Sequence, residues 1–217
     1  MNLIFDLDGT LTDPELGITR CMVHALERMG VAVPDRSQLR RYIGPPLREL
    51  FGALLATADP VLIERAVTLY RERFGAVGLY ENELYPGTVE SLERLAAKDH
   101  RLYVATAKAE VYAQRIIDHF DLGQHFVQVY GAAPSGAGSH KAELLARLIA
   151  EQGIEPDESV MIGDRAGDVA GGRANGMRTV GVLWGYGTAE ELGEANVRVA
   201  TWTDLIRAVE RMMRDEP

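Results

Sequence analysis

Lysine is scarce in this chain: its 217 residues include only Lys98, Lys108 and Lys141, against twenty arginines. Where arginine is the default cation, a lysine marks a position that wants a compact point charge rather than a planar fork. Cysteine is scarcer still. The single Cys21 excludes an internal disulfide framework, fits a reducing compartment and reads as a small core filler in a helical pattern. No apolar run approaches the ~20 residues that cross a bilayer, and the first strand begins at the N-terminus, so neither a membrane span nor a signal peptide is expected. Internal repeats and low-complexity tracts are missing. So is positive charge in excess: the net charge is −9, which argues against a nucleic-acid polymer as partner, because a polyanion needs a basic surface. The expectation is a soluble, cytoplasmic protein, monomeric or homodimeric.

What is present is ordinary in bulk and particular in pattern. Hydrophobic residues at 47% and charged residues at 25% are globular averages, and the length allows one domain with an insert or two modest ones. Short β-branched or aromatic runs at Leu3–Phe5, Leu102–Ala105, Phe126–Tyr130, Val160–Ile162 and Thr179–Leu183 end at Gly, Asp or Thr and read as buried parallel strands. Helical patterns lie between them, at Val89–Lys98, Val111–Phe120, Ala142–Glu151, Gly167–Asn175 and Thr203–Met213, with Asn175-Gly176 as a helix end. Such alternation predicts an α/β fold with a doubly wound parallel sheet. Residues 14–84 break it. They offer helices at Leu16–Met29, Ser37–Tyr42, Leu47–Leu55 and Pro60–Phe74, no convincing strand, and nine arginines balanced by nine acids. The expected organisation is a core of residues 1–13 and 85–217 with an inserted helical domain at 14–84, and Gly131–Ser139 as a loop.

The most informative feature is Asp6-Leu7-Asp8-Gly9-Thr10, directly after the Leu3-Ile4-Phe5 run. Two carboxylates one residue apart at a strand end resist joint ionisation unless a cation or a shared proton relieves them. Gly163-Asp164-Arg165-Ala166-Gly167-Asp168 repeats the pattern far down the chain; read alone it could be a helix N-cap. In an open α/β sheet, ligands bind outside the carboxyl ends of the strands. Asp6, Thr106 and Asp164 fall at such ends, and Lys141 opens a helix. A helix starting near Ala109 would aim its N–H groups at a bound phosphate. A carboxylate can attack a phosphoryl group, and a second one two residues on can protonate the leaving oxygen and later deprotonate water. Mg²⁺ takes hard oxygen ligands and shields the attacking anion, while Thr106 and Lys141 would bind the non-reacting oxygens.

In this order these motifs resemble those of the haloacid dehalogenase superfamily, and within it the phosphoglycolate phosphatase branch with a helical cap. The motifs are Asp6–Thr10, Thr106 after Leu102-Tyr103-Val104-Ala105, Lys141, and Gly163-Asp164 with Asp168. The resemblance covers essentially the whole chain and implies a Rossmann-like core with residues 14–84 as the cap. It implies Asp6 as nucleophile, Asp8 as acid and base, and Mg²⁺ held by the Asp6 carboxylate, the Asp8 carbonyl oxygen and Asp164, with Asp168 acting through water. Phosphate is expected at Gly9, Thr10, Thr106, Ala107 and Lys141. Dehalogenases of the superfamily lack the second aspartate, and its phosphonate-cleaving members use a cap lysine, which residues 14–84 lack. A phosphatase of a small phosphorylated metabolite remains, with phosphoglycolate the first expectation and a nucleoside 5′-monophosphate the next. A phosphomutase like β-phosphoglucomutase and a non-catalytic metabolite sensor are the further alternatives.

Two cations are candidates for substrate contact. Arg41, in the doublet before Gly44-Pro45-Pro46, could meet a second anionic group under the cap; Lys108 follows Thr106-Ala107 where relatives often carry a Ser and a Pro around that lysine. The five histidines show no paired metal-ligand spacing, and Trp184 and Tyr186 in the Gly181–Gly187 segment read as packing residues.

Overall fold

The computed structural model describes residues 1–133 and 135–214. The Leu3-Ile4-Phe5 run lies in β1 (Asn2–Phe5), followed by β2 (Thr12–Asp13), α1 (Glu15–Met29), α2 (Arg36–Leu39), α3 (Leu47–Leu54), α4 (Pro60–Ala76) and β3 (Glu83–Leu84). The chain continues through α5 (Thr88–Ala96), β4 (Arg101–Ala109), α6 (Glu110–His119), β5 (Gln128–Ala132) and α7 (Lys141–Gln152). It ends with β6 (Ser159–Gly163), α8 (Ala166–Ala174), β7 (Arg178–Val182), β8 (Val197–Val199) and α9 (Trp202–Met213).

Six strands form one sheet in the order β5-β4-β1-β6-β7-β8, with every neighbouring pair parallel. The Rossmann-like α/β architecture expected from the strand–helix alternation is therefore present. β1 has a partner on each side and helices over both faces, which is why its run is apolar throughout. Leu3 and Phe5 join one layer with Val104 and Ile162, while Ile4 joins the other with Tyr103, Met161 and Leu144 of α7. This is the period of two that a strand imposes. The chain leaves β1 toward β4 and β5, then returns to the other side at β6. That reversal places a crevice at the carboxyl ends of β1, β4 and β6.

The helical segment enters and leaves through a small antiparallel pair, with Thr12 opposite Leu84 and Asp13 opposite Glu83. α4 starts where Asp59 accepts a hydrogen bond from the Val61 N–H at 2.8 Å, with Pro60 at the first helical position; loss of such a cap costs about 1 kcal/mol. α4 buries Ala66, Val67, Tyr70 and Phe74, and Tyr70 stacks on Phe74 with centroids 5.3 Å apart. Among the described residues no helix is long and apolar enough to cross a membrane.

Four points of the sequence reading need correcting. β3 is a strand inside the interval read as strandless; two residues long, it is too short to show a period. β8 went unread because Val197-Arg198-Val199 is a three-residue edge strand with its middle side chain exposed. Thr106 does not terminate its strand: β4 extends to Ala109, with its pairing to β5 irregular between Ala105 and Ala109, and the next helix starts at Glu110. Gly131 and Ala132 belong to β5 rather than to the following loop, of which residue 134 lies outside the described residues.

Candidate active site

Asp6 leaves β1 with its N–H bonded to the Ile162 carbonyl of β6 at 2.9 Å. The chain then wraps the Leu7 carbonyl, which accepts from the N–H groups of Thr10, Leu11 and Thr12 at 3.3, 2.9 and 3.1 Å. Gly9 permits this wrap. Its φ is +84°, and a Cβ there would overlap the Asp164 carboxylate, so only glycine fits both the conformation and the space. The Asp6 carboxylate is thereby held at the crevice, Oδ1 accepting from the Leu7 N–H at 2.8 Å.

Lys141 reaches in from the first turn of α7. Its ammonium lies 3.0 Å from Asp6 Oδ1 and 2.8 Å from Asp168 Oδ1, and donates to the Ala105 carbonyl at 2.6 Å. Burial alone would lower the Lys141 pKa, but the carboxylates of Asp168 and Asp6 outweigh it and hold the group above the ordinary lysine value. Asp164 is fully buried. Its Oδ2 accepts from the Tyr186 N–H at 2.8 Å and its Oδ1 from the Thr10 hydroxyl at 3.4 Å. Burial, then the neighbouring Asp168 and Asp6, pushes its pKa well above the usual carboxylate range. Asp168 accepts from the Arg165 N–H at 3.0 Å and is 2% exposed; burial raises its pKa too, against the pull of Lys141. Asp164 is thus not the helix cap, and Asp168 is not on a solvated face.

Asp6, Asp164 and Asp168 each offer an oxygen within 4.8 Å of the others. Three buried carboxylates with one ammonium among them leave two negative charges nearly excluded from water. Such an arrangement is costly unless a cation joins it, and hard carboxylate oxygens suit Mg²⁺. The residues fit that ion.

Asp8 stands apart from this cluster. Its Oδ2 meets the Lys108 ammonium at 2.7 Å, while its Oδ1 is buried without a partner. Burial raises its pKa, with Lys108 opposing. Lys108 also lies 4.5 Å above the Phe74 ring of α4. Thr106 is buried, and its hydroxyl accepts from the Lys108 N–H at 3.3 Å. Asp6, Asp8, Thr106, Ala107 and Lys108 all line a cavity of about 360 Å³ whose opposite wall comes from the helical segment. An adjoining lobe of about 260 Å³ shares Asp6 and Ala107 and runs past Lys141 and Asp168.

Other expected contacts are not brought to the cavity. Gly9 and Thr10 do not line it, and their amides are already bonded to the Thr12 and Leu7 carbonyls at 2.8 and 3.3 Å. They position Asp164 rather than face a phosphate. Arg41 is exposed and folds onto its neighbour, with its guanidinium 3.0 Å from the Tyr42 hydroxyl and over that ring. Arg48 and Arg71 line the wall instead. Sequence reasoning missed Tyr186, whose contribution is a backbone N–H that any residue would supply, and Trp184, whose indole donates to the Thr10 carbonyl at 3.0 Å. Lys108 carried a signal: it is two residues beyond Thr106 in an extended segment, hence on the same side.

A family model described as haloacid dehalogenase-like hydrolase matches residues 3–182. The chain belongs to this family. Among its relatives, a 5′-nucleotidase of Pseudomonas aeruginosa is 44% identical over 191 residues, covering 88% of this chain and 86% of that one. A tyrosine-protein kinase, PtkA, of Mycobacterium tuberculosis is 39% identical over 92% of this chain and 67% of its own length. A phosphoglycolate phosphatase of Aquifex aeolicus is 27% identical over 85% of both chains. The crystal structure of a predicted phosphatase from Clostridium acetobutylicum matches with a TM-score of 0.93 and 34% identity, covering 97% of this chain and 98% of that one.

Proposed function

We propose that this phosphoric monoester hydrolase of the haloacid dehalogenase family cleaves nucleoside 5′-monophosphates through an aspartyl-phosphate at Asp6. The observation that carries the chemistry is the pairing of Asp6 and Asp8 with different partners at one cavity wall. Lys141 and the Leu7 N–H both hold Asp6 Oδ1, which leaves Oδ2 to attack phosphorus. Asp8, with a raised pKa and an orphaned oxygen, is suited to protonate the leaving oxygen and then to take a proton from the water that hydrolyses the acyl phosphate. Lys141 and the Thr106 hydroxyl would bind the transferring group's other oxygens. Asp6, Asp164 and the Asp8 carbonyl would hold Mg²⁺, with Asp168 behind them; when bound, the ion offsets the charge between nucleophile and phosphate. Residues 14–84 act as a cap that covers the site and keeps out water.

The 44% identity to a protein named 5′-nucleotidase supports the nucleotide substrate, as does a cavity of about 360 Å³. That volume falls in the ~300–1,000 Å³ range of sites for drug-sized ligands. Phosphoglycolate, the first expectation from the sequence, would fill little of it and rests on a relative at 27% identity; it is the second reading.

The test is a panel of phosphomonoesters with Mg²⁺, run on the native chain and on Asp6→Asn. Nucleoside 5′-monophosphates are expected to show the highest kcat/KM, and Asp6→Asn to lose about 10⁴-fold or more. Turnover that survives in Asp6→Asn refutes the nucleophile, and a higher kcat/KM for phosphoglycolate refutes the substrate. Phosphotyrosine formed on a peptide from ATP would favour the kinase named among the relatives.

A further inference from the structure

The cavity wall presents cations, yet two of them, Arg48 and Lys108, are already matched by this chain's own carboxylates. Arg48 of α3 lines the cavity, and its guanidinium is gripped from two directions by Glu64 of α4, Nε to Oε1 and Nη2 to Oε2, the latter at 3.0 Å. It lies over Gly136, in the loop after β5. Gly136 has φ +89°, and a Cβ there would overlap Arg48 Nη1. Three separate segments therefore hold one side chain, of which about a third stays exposed (34%). Lys108 is taken by Asp8, and Arg71, a third cation on the wall, also interacts with other groups of the chain.

This has a consequence for the leaving group. A carboxylate entering beside Arg48 would have to compete with Glu64 and would face that carboxylate's repulsion. A group carrying hydroxyls or carbonyls can accept from Arg48, which lines the cavity, without displacing Glu64. The ring of Tyr112 from α6 also lines the cavity, with one side against Phe74 at 5.3 Å and the rest half-buried. It offers a flat apolar surface for a base.

We infer that the Arg48–Glu64 pair, seated on Gly136, is the specificity determinant of this cleft, admitting an uncharged, hydrogen-bonding leaving group such as a nucleoside and rejecting an anionic one. The inference deepens the proposed phosphatase reading and rests on it for its kinetic arm. Glu64 is half-exposed, so Glu64→Gln removes one charge without opening the core.

The experiment compares uridine 5′-monophosphate with 2-phosphoglycolate on the native chain, Glu64→Gln and Arg48→Gln. It measures kcat/KM, and on an Asp6→Asn background the two Kd values by calorimetry. Glu64→Gln unmasks Arg48 and is expected to move the ratio toward phosphoglycolate about five- to tenfold, chiefly through KM. Arg48→Gln is expected to weaken the nucleotide without that gain. Gly136→Ala, which displaces Arg48, is expected to behave like Arg48→Gln. A ratio that Glu64→Gln leaves within about twofold, in turnover and in binding, overturns the inference. Failure of the hydrolase reading looks different: no ester is turned over, yet the Asp6→Asn background still prefers the nucleotide in a Glu64-dependent way.

Discussion

Replacing Lys141 with Met keeps most of the side chain's length and removes the ammonium bonded to Asp6 and Asp168. The three side chains are 7%, 9% and 3% exposed, so water cannot take the lysine's place. Breaking a buried ion pair by deleting one partner costs about 3–5 kcal/mol. For a chain of this size each kcal/mol moves Tm by about 2–4 °C, so Lys141→Met should melt about 6–20 °C below the native chain in EDTA. Mg²⁺ should rescue the variant more than the native chain. Lysine and dication compensate the same carboxylates and repel one another, and at a hundredfold excess over Kd a ligand adds about 2.7 kcal/mol. The sign of the pH effect follows from the same groups. Asp164 and Asp168 have pKa values raised above the ordinary aspartate value, by burial first and by neighbouring carboxylates second. In EDTA the folded chain therefore holds more protons than the unfolded one from that value upward, and the contribution of these groups to stability falls as pH rises through that window. The slope should be steeper in Lys141→Met and flatter in Mg²⁺. The assay is scanning fluorimetry in EDTA and in MgCl₂ at matched ionic strength across pH. A variant within about 2 °C of the native chain in EDTA, or one with the same deficit in both media, would refute this reasoning.

Asp8→Asn should lower kcat for nucleotides by about 10²–10⁴-fold. With p-nitrophenyl phosphate, whose leaving group needs no proton, the single-turnover release of p-nitrophenolate should fall much less, even though steady turnover, which still needs the base, is slowed; equal losses in that first step on both substrates would remove Asp8 as the acid. Gly9→Ala, at φ +84° with its Cβ overlapping Asp164, should destabilise the fold by about 1–3 kcal/mol in urea titrations, and an unchanged midpoint would contradict the described turn. Trp184→Phe keeps an aromatic ring beside Trp202, 5.1 Å away, but loses the bond to the Thr10 carbonyl. It should cost about 1 kcal/mol, read from the same titrations. β-Glucose 1-phosphate should not become a substrate when a glucose bisphosphate is added, since activation of that kind is the signature of a mutase.

The sheet was legible because its chemistry is written in runs: Leu3-Ile4-Phe5 and Val160-Met161-Ile162 are apolar on both faces and stop at an acid or a glycine. The acid cluster was legible for the same reason, since Asp6 and Asp164 sit where those runs stop. What stayed hidden depends on direction rather than composition. Arg40 and Arg41 are adjacent on a single turn, yet Arg40 turns to Glu15 at 3.2 Å and the Tyr186 ring, while Arg41 folds onto Tyr42. Nothing in a doublet says which member faces a cavity, or that Arg48, seven residues after Arg41 in α3, does so instead. Gly9 and Thr10 were placed in the right loop with the wrong task, because a loop that wraps one carbonyl consumes its own amides. Short strands such as Glu83–Leu84 are decided by partners 70 and 72 residues away, which no local window can contain.

Charge is divided between the two parts of the fold in a way that explains why chemistry and selection separate. The helical segment pairs its charges internally: Arg20 and Arg73 with Glu81, Arg48 with Glu64, Arg36 and Arg40 with Glu15. At the sheet edge, in contrast, Asp6, Asp164 and Asp168 outnumber the one ammonium, Lys141, that lies among them, and a dication would offset the remainder. A phosphate dianion is therefore drawn toward the end where the cation sits, since the helical segment, with nine arginines against nine acids, is neutral overall. The helical wall can then discriminate by hydrogen bonding and shape alone, and a single unpaired charge on it would redirect the substrate. Glu64 matters for this reason although it is half-exposed and adds little to stability. Its carboxylate keeps the wall neutral where the leaving group must fit.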